Sequence, residues 1–276
     1  MTLWVNGELV ADDAPVVRAD DHGLVVGDGV FETCAVRDGV PFALTRHLRR
    51  LRASAAGLGL PVDEERIRAG IAAVLRDAPA RARLRITVTG GPSPYGSGRG
   101  EGPPTVLVAA SPLHDWPASI DVVVVPWTRN ERAATAGLKT TSYADNVVAL
   151  SWAHDRGAAE ALFTNTRGDL CEGTGSNVFY EYDGLLVTPP LSTGCLAGIT
   201  RELLLEWLRD DGLDVREVAQ DIGALREASE AFLASSTRDV QPIGRVDGTA
   251  LPEVPGPFTR RAAEVFARRA AEQVDP

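Results

Sequence analysis

Lys139 is the one lysine among 276 residues, and 27 arginines supply the rest of the basic charge. Both side chains solvate well at a surface, because their apolar stems lie flat and their charged heads reach water. Only the amine can give up its proton and attack a carbonyl; guanidinium stays charged. A single lysine in an arginine-rich chain therefore points to amine chemistry at that position or, equally by count alone, to one accidental surface lysine, and the flanking sequence must decide. Glu172 lies in Cys171-Glu-Gly-Thr-Gly-Ser-Asn177, among small residues that let a backbone or ligand come close. It suits the proton of a ligand's ring nitrogen, and equally a loop acid in water. Gly198-Ile199-Thr200 combines a permissive glycine, a hydroxyl and the unpaired amides of a helix start, where a phosphate could sit. Ser235-Ser236-Thr237 follows the apolar run Ala231-Phe-Leu-Ala and either completes an anion site or begins a turn.

Other chemistry is excluded. Gly96-Ser-Gly-Arg-Gly-Glu-Gly102 is glycine-rich, but Pro103-Pro104 follows and leads into a strand, so no helix amides stand behind the glycines as a nucleotide cradle requires. The stretch reads as a mobile active-site loop. The four histidines lie far apart without metal-ligand spacing, and no metal site is expected. The three cysteines form no CxxC pair, which predicts reduced thiols and a cytoplasmic protein.

These residues need elements to hold them. Leu3 to Val10 reads as a hairpin turning at Asn6-Gly7. Val30 to Val36 is a strand. Thr45–Gly59 and Asp63–Asp77 carry apolar residues at helical spacing, the second behind the capping residue Asp63. Strands are predicted at 84–89, 105–110, 120–125, 161–164, 213–219 and 230–236, with a hairpin turning at Asp183-Gly184. Helices are predicted at 143–154, 198–210 and 257–273. Hairpins mixed with helices, without regular alternation, predict a mixed α/β (α+β) chain in two lobes. The divisions are 1–111 for a small N-terminal α/β domain, 112–119 for a linker, and 120–276 for a larger α/β domain that carries Lys139. A net charge of −10 with scattered basic residues argues against nucleic-acid or anionic-membrane partners. No apolar run approaches the ~20 residues that span a bilayer, and the N-terminus has no signal-peptide pattern.

Taken in order, six segments resemble those of the fold-type IV pyridoxal 5′-phosphate enzymes, which comprise the class IV aminotransferases and their lyase relatives. They are Gly27-Asp-Gly-Val-Phe-Glu32, His47-Leu-Arg-Arg-Leu51, Gly137-Leu-Lys-Thr-Thr-Ser-Tyr143, Glu172-Gly-Thr-Gly-Ser-Asn-Val-Phe179, Gly198-Ile-Thr-Arg201 and Ser235-Ser-Thr237. The resemblance implies a two-domain fold like that of D-amino acid aminotransferase, with pyridoxal 5′-phosphate as cofactor. It implies that Lys139 is the Schiff-base lysine and proton carrier, and that Glu172 holds the pyridine nitrogen's proton. It assigns the phosphate to Arg50, Ile199, Thr200 and Ser236, and the phenolic oxygen to Tyr143. A small-molecule amine substrate and a homodimer are implied as well.

D-amino acid transaminases of this family hold the substrate carboxylate with a tyrosine on the early strand and an Arg-x-His on the glycine loop. The corresponding positions here are Phe31, Tyr95 and Ser97, so that trap is missing. Arg99, Arg129, Arg132 and Arg238 remain as candidates for substrate carboxylates. The Thr-Thr-Ser-Tyr run, with Trp127-Thr-Arg-Asn-Glu-Arg132 before it, is most similar to bacterial aminodeoxychorismate lyases. The expectation is therefore a lyase that eliminates pyruvate from 4-amino-4-deoxychorismate to give 4-aminobenzoate for folate synthesis. The rival is an aminotransferase acting on D-amino or branched-chain amino acids. A non-catalytic cofactor-binding protein would have lost Lys139 or Glu172, and both are present.

Overall fold

The computed structural model describes residues 1–276, which form two compact units. The first contains Met1–His114, Leu138–Tyr143 and Val274–Pro276; the second contains Asp115–Gly137 and Ala144–Gln273. The chain passes between them at His114/Asp115, within the stretch expected to be a linker. Lys139 belongs to the first unit, which corrects its expected place in the C-terminal domain. The reason is hydrogen bonding: its segment runs beside the early strand, where the Phe31 N–H donates to the Lys139 carbonyl (3.1 Å) and the Thr141 N–H to that of Gly29 (2.8 Å).

The first unit comprises β1 (Thr2–Val5), β2 (Glu8–Val10), the short α1 (His22–Val25), β3 (Gly29–Arg37), β4 (Val40–Pro41), α2 (Leu44–Leu58), α3 (Glu64–Leu75), β5 (Ala82–Thr89) and β6 (Thr105–Pro112). Its six-stranded sheet runs β2-β1-β6-β5-β3-β4, antiparallel throughout. Asn6 and Gly7, both at positive φ, make the first turn as their sequence predicts. Strand alternation divides the sheet into two faces. Val30, Cys34, Leu84, Ile86, Val88 and Val108 pack with Leu48 and Leu51 of α2 and Ile67 and Ile71 of α3. The opposite face carries Phe31, Thr33, Arg85 and Thr87, with Phe31 opposite Thr87 and Thr33 opposite Arg85. Asp63 caps α3 by accepting the Arg66 N–H at 3.0 Å.

The second unit comprises β7 (Ile120–Arg129), α4 (Ala144–His154), β8 (Glu160–Asn165), β9 (Leu170–Gly173), β10 (Asn177–Tyr182), β11 (Leu185–Thr188), α5 (Ile199–Asp210), β12 (Val215–Glu217), α6 (Ile222–Glu227), β13 (Ala231–Ser235), β14 (Asp239–Val246), β15 (Thr249–Ala250) and α7 (Pro257–Glu272). Its sheet runs β12-β11-β10-β13-β14-β7-β8-β9, with β15 paired to β14. β7 and β8 are parallel, and α4 lies in the crossover that such a pair requires. Four strands escape the sequence reading, among them β4 and β15, which are two residues each. β9 is only four residues long, and β14 contains Pro242 and Gly244, which weaken any strand pattern. The expected strand at 213–219 shrinks to three residues.

Candidate active site

In the first unit the backbone of Lys139 is held from two sides. Besides its bond to β3, its N–H donates to Ser54 Oγ of α2 at 3.0 Å. Gly57 of α2 lets this segment approach, because a Cβ there would lie 2.7 Å from the Leu138 side chain. Lys139 Nζ sits 4.3 Å from the centroid of the Phe31 ring and 5.8 Å from that of Tyr143. Those two rings meet edge to face at 5.1 Å. Lys139, Phe31 and Tyr143 are thus brought together.

Arg50, expected at a phosphate, lies on the helix side of β3. Its Nε and Nη2 each donate to Glu32 at 2.7 Å, and His47 Nδ1 lies 2.7 Å from Glu32 Oε2. Glu32 is fully buried. Burial is the largest single influence on its carboxyl and acts upward. The Arg50 charge and the hydrogen bonds from Arg50 and His47 together outweigh it and hold the group at about 2. Burial moves His47 the other way, below the ordinary histidine value, against the opposing pull of Glu32. His47 is therefore neutral near pH 7 and donates its Nδ1 proton to the carboxylate.

Arg85 escaped the sequence reading. Its guanidinium carbon lies 3.5 Å from the Phe31 centroid, on the ring that Lys139 also touches. Its hydrogen bonds go to hydroxyls alone, from Nε to Thr87 Oγ1 (3.2 Å) and from Nη1 to Thr33 Oγ1 (3.4 Å). No carboxylate pairs with it, and burial brings it down to about 10. The signal comes only with the register: Arg85 pairs with Thr33, two residues along β3 from Phe31, and so shares their face.

The second unit holds Glu172, Ile199, Thr200 and Ser236. Glu172 is not a loop acid as one reading allowed; it sits on β9, paired with Phe163 of β8. Its Oε2 accepts the Leu196 N–H at 2.9 Å, and its Oε1 lies 3.3 Å from Arg129 Nε. Arg129 is braced by Asn146 Oδ1 at 3.1 Å and by the Phe163 ring at 4.2 Å. The turn after Glu172 is organised by buried Glu160, which accepts the Thr174 hydroxyl (2.7 Å) and the Gly175 N–H (2.8 Å). α5 begins at Gly198 with no side-chain cap, so the amides of its first turn are open. Ile199 and Thr200 are both buried there. A side chain at Gly198 would collide with the carboxamide oxygen of Asn177. At the end of β13, Ser235 Oγ is buried without a hydrogen-bond partner, next to Ser236. The uncapped start of α5 and the unsatisfied Ser235 hydroxyl are each donors that suit an anion.

The other candidates are placed differently. Arg99 spends its fork on Asp28 (2.6 Å from Nε and from Nη2) and on the carbonyls of Leu58 and Gly59 (2.7 Å each). It is a strut for the glycine-rich loop rather than a substrate ligand. Arg238 pairs with Glu160 at 2.6 Å, and Arg132 is 81% exposed. Tyr95 is 76% exposed at the loop tip. Cys34, Cys171 and Cys195 are buried and free, and no helix is long and apolar enough to cross a membrane.

Comparison with known proteins adds to this geometry. Residues 29–246 match the family model for amino-transferase class IV. The chain is 30% identical to the branched-chain-amino-acid aminotransferase of Salmonella typhimurium, over 96% of this chain and 91% of that one. It is 31% identical to a bifunctional aminodeoxychorismate lyase/D-amino acid transaminase of Mycobacterium tuberculosis, over 97% and 96% of the two chains. The solved structure of a hypothetical aminotransferase from M. tuberculosis in its PLP-bound form superposes with a TM-score of 0.86. That pair shares 30% identity and covers 99% of this chain and all of the other.

Proposed function

Because this chain belongs to the class IV aminotransferase family, we propose that it transfers the amino group of an amino acid, a carboxylate-bearing amine, to a keto acid. Pyridoxal 5′-phosphate is the cofactor. The observation that carries the substrate class is Arg85: a half-buried guanidinium without an anion, on the ring that Lys139 Nζ also touches. An amine to react and a cation awaiting a carboxylate are what an amino acid presents partners for.

The residues fit the cofactor. The open first turn of α5 and the orphaned Ser235 hydroxyl are donors seeking an acceptor, which a phosphate supplies. In the second unit, Ile199, Thr200 and Ser236 would hold that group. In the first unit, Arg50, the phosphate ligand that the resemblance implies, is held by Glu32, which His47 holds in turn. When bound, the cofactor supplies an aldehyde and an electron-accepting ring. Lys139 supplies the nucleophilic amine and, at Nζ, the base that takes the proton from the substrate's α-carbon. Glu172, fixed by Leu196 and Arg129, stays an acceptor for a proton on the ring nitrogen. Tyr143, whose ring lies 5.8 Å from Lys139 Nζ, would meet the phenolic oxygen. Val147 and Val148 of α4, 65% and 52% exposed, offer an apolar face for a second copy of the chain. Sedimentation at micromolar concentration tests that homodimer. The buried free thiols support a cytoplasmic setting.

The lyase reading stands second. It draws on the M. tuberculosis bifunctional relative and on Phe31, Tyr95 and Ser97 in place of the carboxylate trap. One experiment separates the two. Purified, cofactor-loaded protein is mixed with D-alanine, L-leucine or 4-amino-4-deoxychorismate, and absorbance and products are followed. Bleaching of the visible cofactor band with a keto acid formed supports the aminotransferase. Release of 4-aminobenzoate and pyruvate with the band restored overturns it in favour of the lyase. Lys139→Ala should abolish the band, and a band unchanged by that substitution would remove Lys139 from its role.

A further inference from the structure

We propose that His22 is a positioning residue whose protonated ring holds the tip of the glycine-rich loop, residues 94–98, so that loss of one proton releases the tip. The proposal rests on the first unit alone and does not depend on which amine the protein uses.

The roots of this loop are pinned by its backbone. The His22 N–H donates to the Gly91 carbonyl at 2.9 Å, the Ser93 N–H to that of Asp20 at 2.9 Å, and the Gly100 N–H to Ser93 Oγ at 3.0 Å. Arg99 ties the far side to Asp28 and to the C-terminal carbonyls of α2. Between these anchors residues 94–98 are exposed. One hydrogen bond connects the tip to the rest of the unit, between His22 Nε2 and the Gly96 carbonyl at 2.9 Å.

That bond fixes the protonation of the ring. A carbonyl oxygen only accepts, so Nε2 must carry a hydrogen. The other nitrogen, Nδ1, faces Asp28 Oδ2 at 2.7 Å. Asp28 is gripped by two Arg99 nitrogens, so it is ionised and only accepts. Both ring nitrogens are thus donors, which only the imidazolium allows. His22 is 2% exposed, so water does not replace either partner. The charged groups against it are Asp28 and, beyond that carboxylate, Arg99. The neighbouring Asp21 is turned to the Gly23 N–H and to the hydroxyls of Thr89 and Thr105. The hydrogen bond to Asp28, and after it that to Gly96, raises the ring above the ordinary histidine value.

Deprotonation breaks one bond selectively. The neutral ring keeps Nδ1–H on the charged carboxylate, the stronger partner. Nε2 then turns a lone pair toward the Gly96 carbonyl, and the two acceptors repel. The tip is freed while Arg99 still holds the base. Tyr95 and Ser97 ride on that tip and are freed with it.

A spin label placed at Ser97→Cys tests this, since the three native cysteines are buried and do not compete. Its mobility is read from pH 5.5 to 9.5 in the cofactor-loaded protein. The expected result is an immobile label at low pH and a transition, centred above 6.5, to motion several-fold faster. In His22→Gln the transition should vanish, because that side chain does not titrate. In His22→Arg, whose charge is permanent, the label should stay immobile throughout. A flat wild-type profile, or a transition that persists in His22→Gln, overturns the proposal. An amino-group transfer assay on the same samples reports separately on the proposed function.

Discussion

Glu32 grips Arg50 through two parallel hydrogen bonds of 2.7 Å, with His47 on the same carboxylate, and none of its charge reaches solvent. The arrangement fixes a forked cation against the N-terminal half of β3, on its helix-covered face, where it can serve as a ligand without being free to wander. Breaking one partner of such a pair leaves the other uncompensated, which costs about 3–5 kcal/mol. Glu32→Gln should therefore lower stability by that order and weaken cofactor retention together. Denaturant titration of the cofactor-free protein and equilibrium dialysis with pyridoxal 5′-phosphate measure the two effects. A stability change below about 1 kcal/mol would contradict the pairing.

The same cluster sets the acid side of the stability profile. Burial pushes His47 below its ordinary 6.5. The unfolded chain then binds a proton near pH 6.5 that the folded chain refuses, so stability begins to fall as pH drops below that point. Glu32 adds a second stage. Its carboxyl lies near 4.5 in the unfolded chain and at about 2 in the folded one, so its contribution is complete above 4.5 and is lost between 4.5 and 2. That stage is worth roughly 3 kcal/mol. Urea midpoints at closely spaced pH values should show both stages, and His47→Gln should remove the first.

Arg85 gives the sharpest test of substrate class. Replacing it with methionine keeps the contact with Phe31 but removes the cation. A hydrogen bond to a charged group is worth about 1.5–3 kcal/mol, or roughly ten- to hundred-fold in kcat/KM. The loss should appear with amino acids and be small with amines that lack a carboxylate. Stability should hold or improve slightly, because no ion pair is broken and a buried charge is removed. Equal losses for both kinds of amine would show that Arg85 does not meet a carboxylate.

The contrast between Lys139 and Arg85 shows what the sequence could and could not reveal. Lys139 stands out in the sequence because its rarity is a property of composition, whereas Glu172, Gly198 and Ser235-Ser236 stand out only through the ordered resemblance of six segments. Helices α2, α3, α5 and α7 were legible from apolar spacing, with Asp63 marking the start of one. Arg85 was hidden because one arginine among 27 carries no signal until the strand register sets it beside Phe31. The partners of Arg99 were hidden for a related reason: Asp28 lies 71 residues away, and nothing local links the two. Lys139 was assigned to the wrong unit because sequence position ranks it with its neighbours, whereas cross-chain hydrogen bonds tie it to β3.

Gly198 offers a test of the anion site that substitutes none of the proposed ligands. Its φ of −67° suits any residue, so alanine would not strain the backbone itself. The added Cβ would instead collide with the Asn177 carboxamide, whose nitrogen donates to the Leu196 carbonyl at 2.9 Å. Relief requires Asn177 or the start of α5 to move, and overpacking of this kind costs about 1–3 kcal/mol. Leu196 also donates its N–H to Glu172, so the disturbance reaches both the anion site and the carboxylate. Gly198→Ala should therefore weaken retention of pyridoxal 5′-phosphate and also of inorganic phosphate, which needs the α5 amides but not Glu172. Calorimetric titration with each ligand separates the two. Unchanged phosphate affinity alongside weakened cofactor binding would move the effect from the helix start to Glu172.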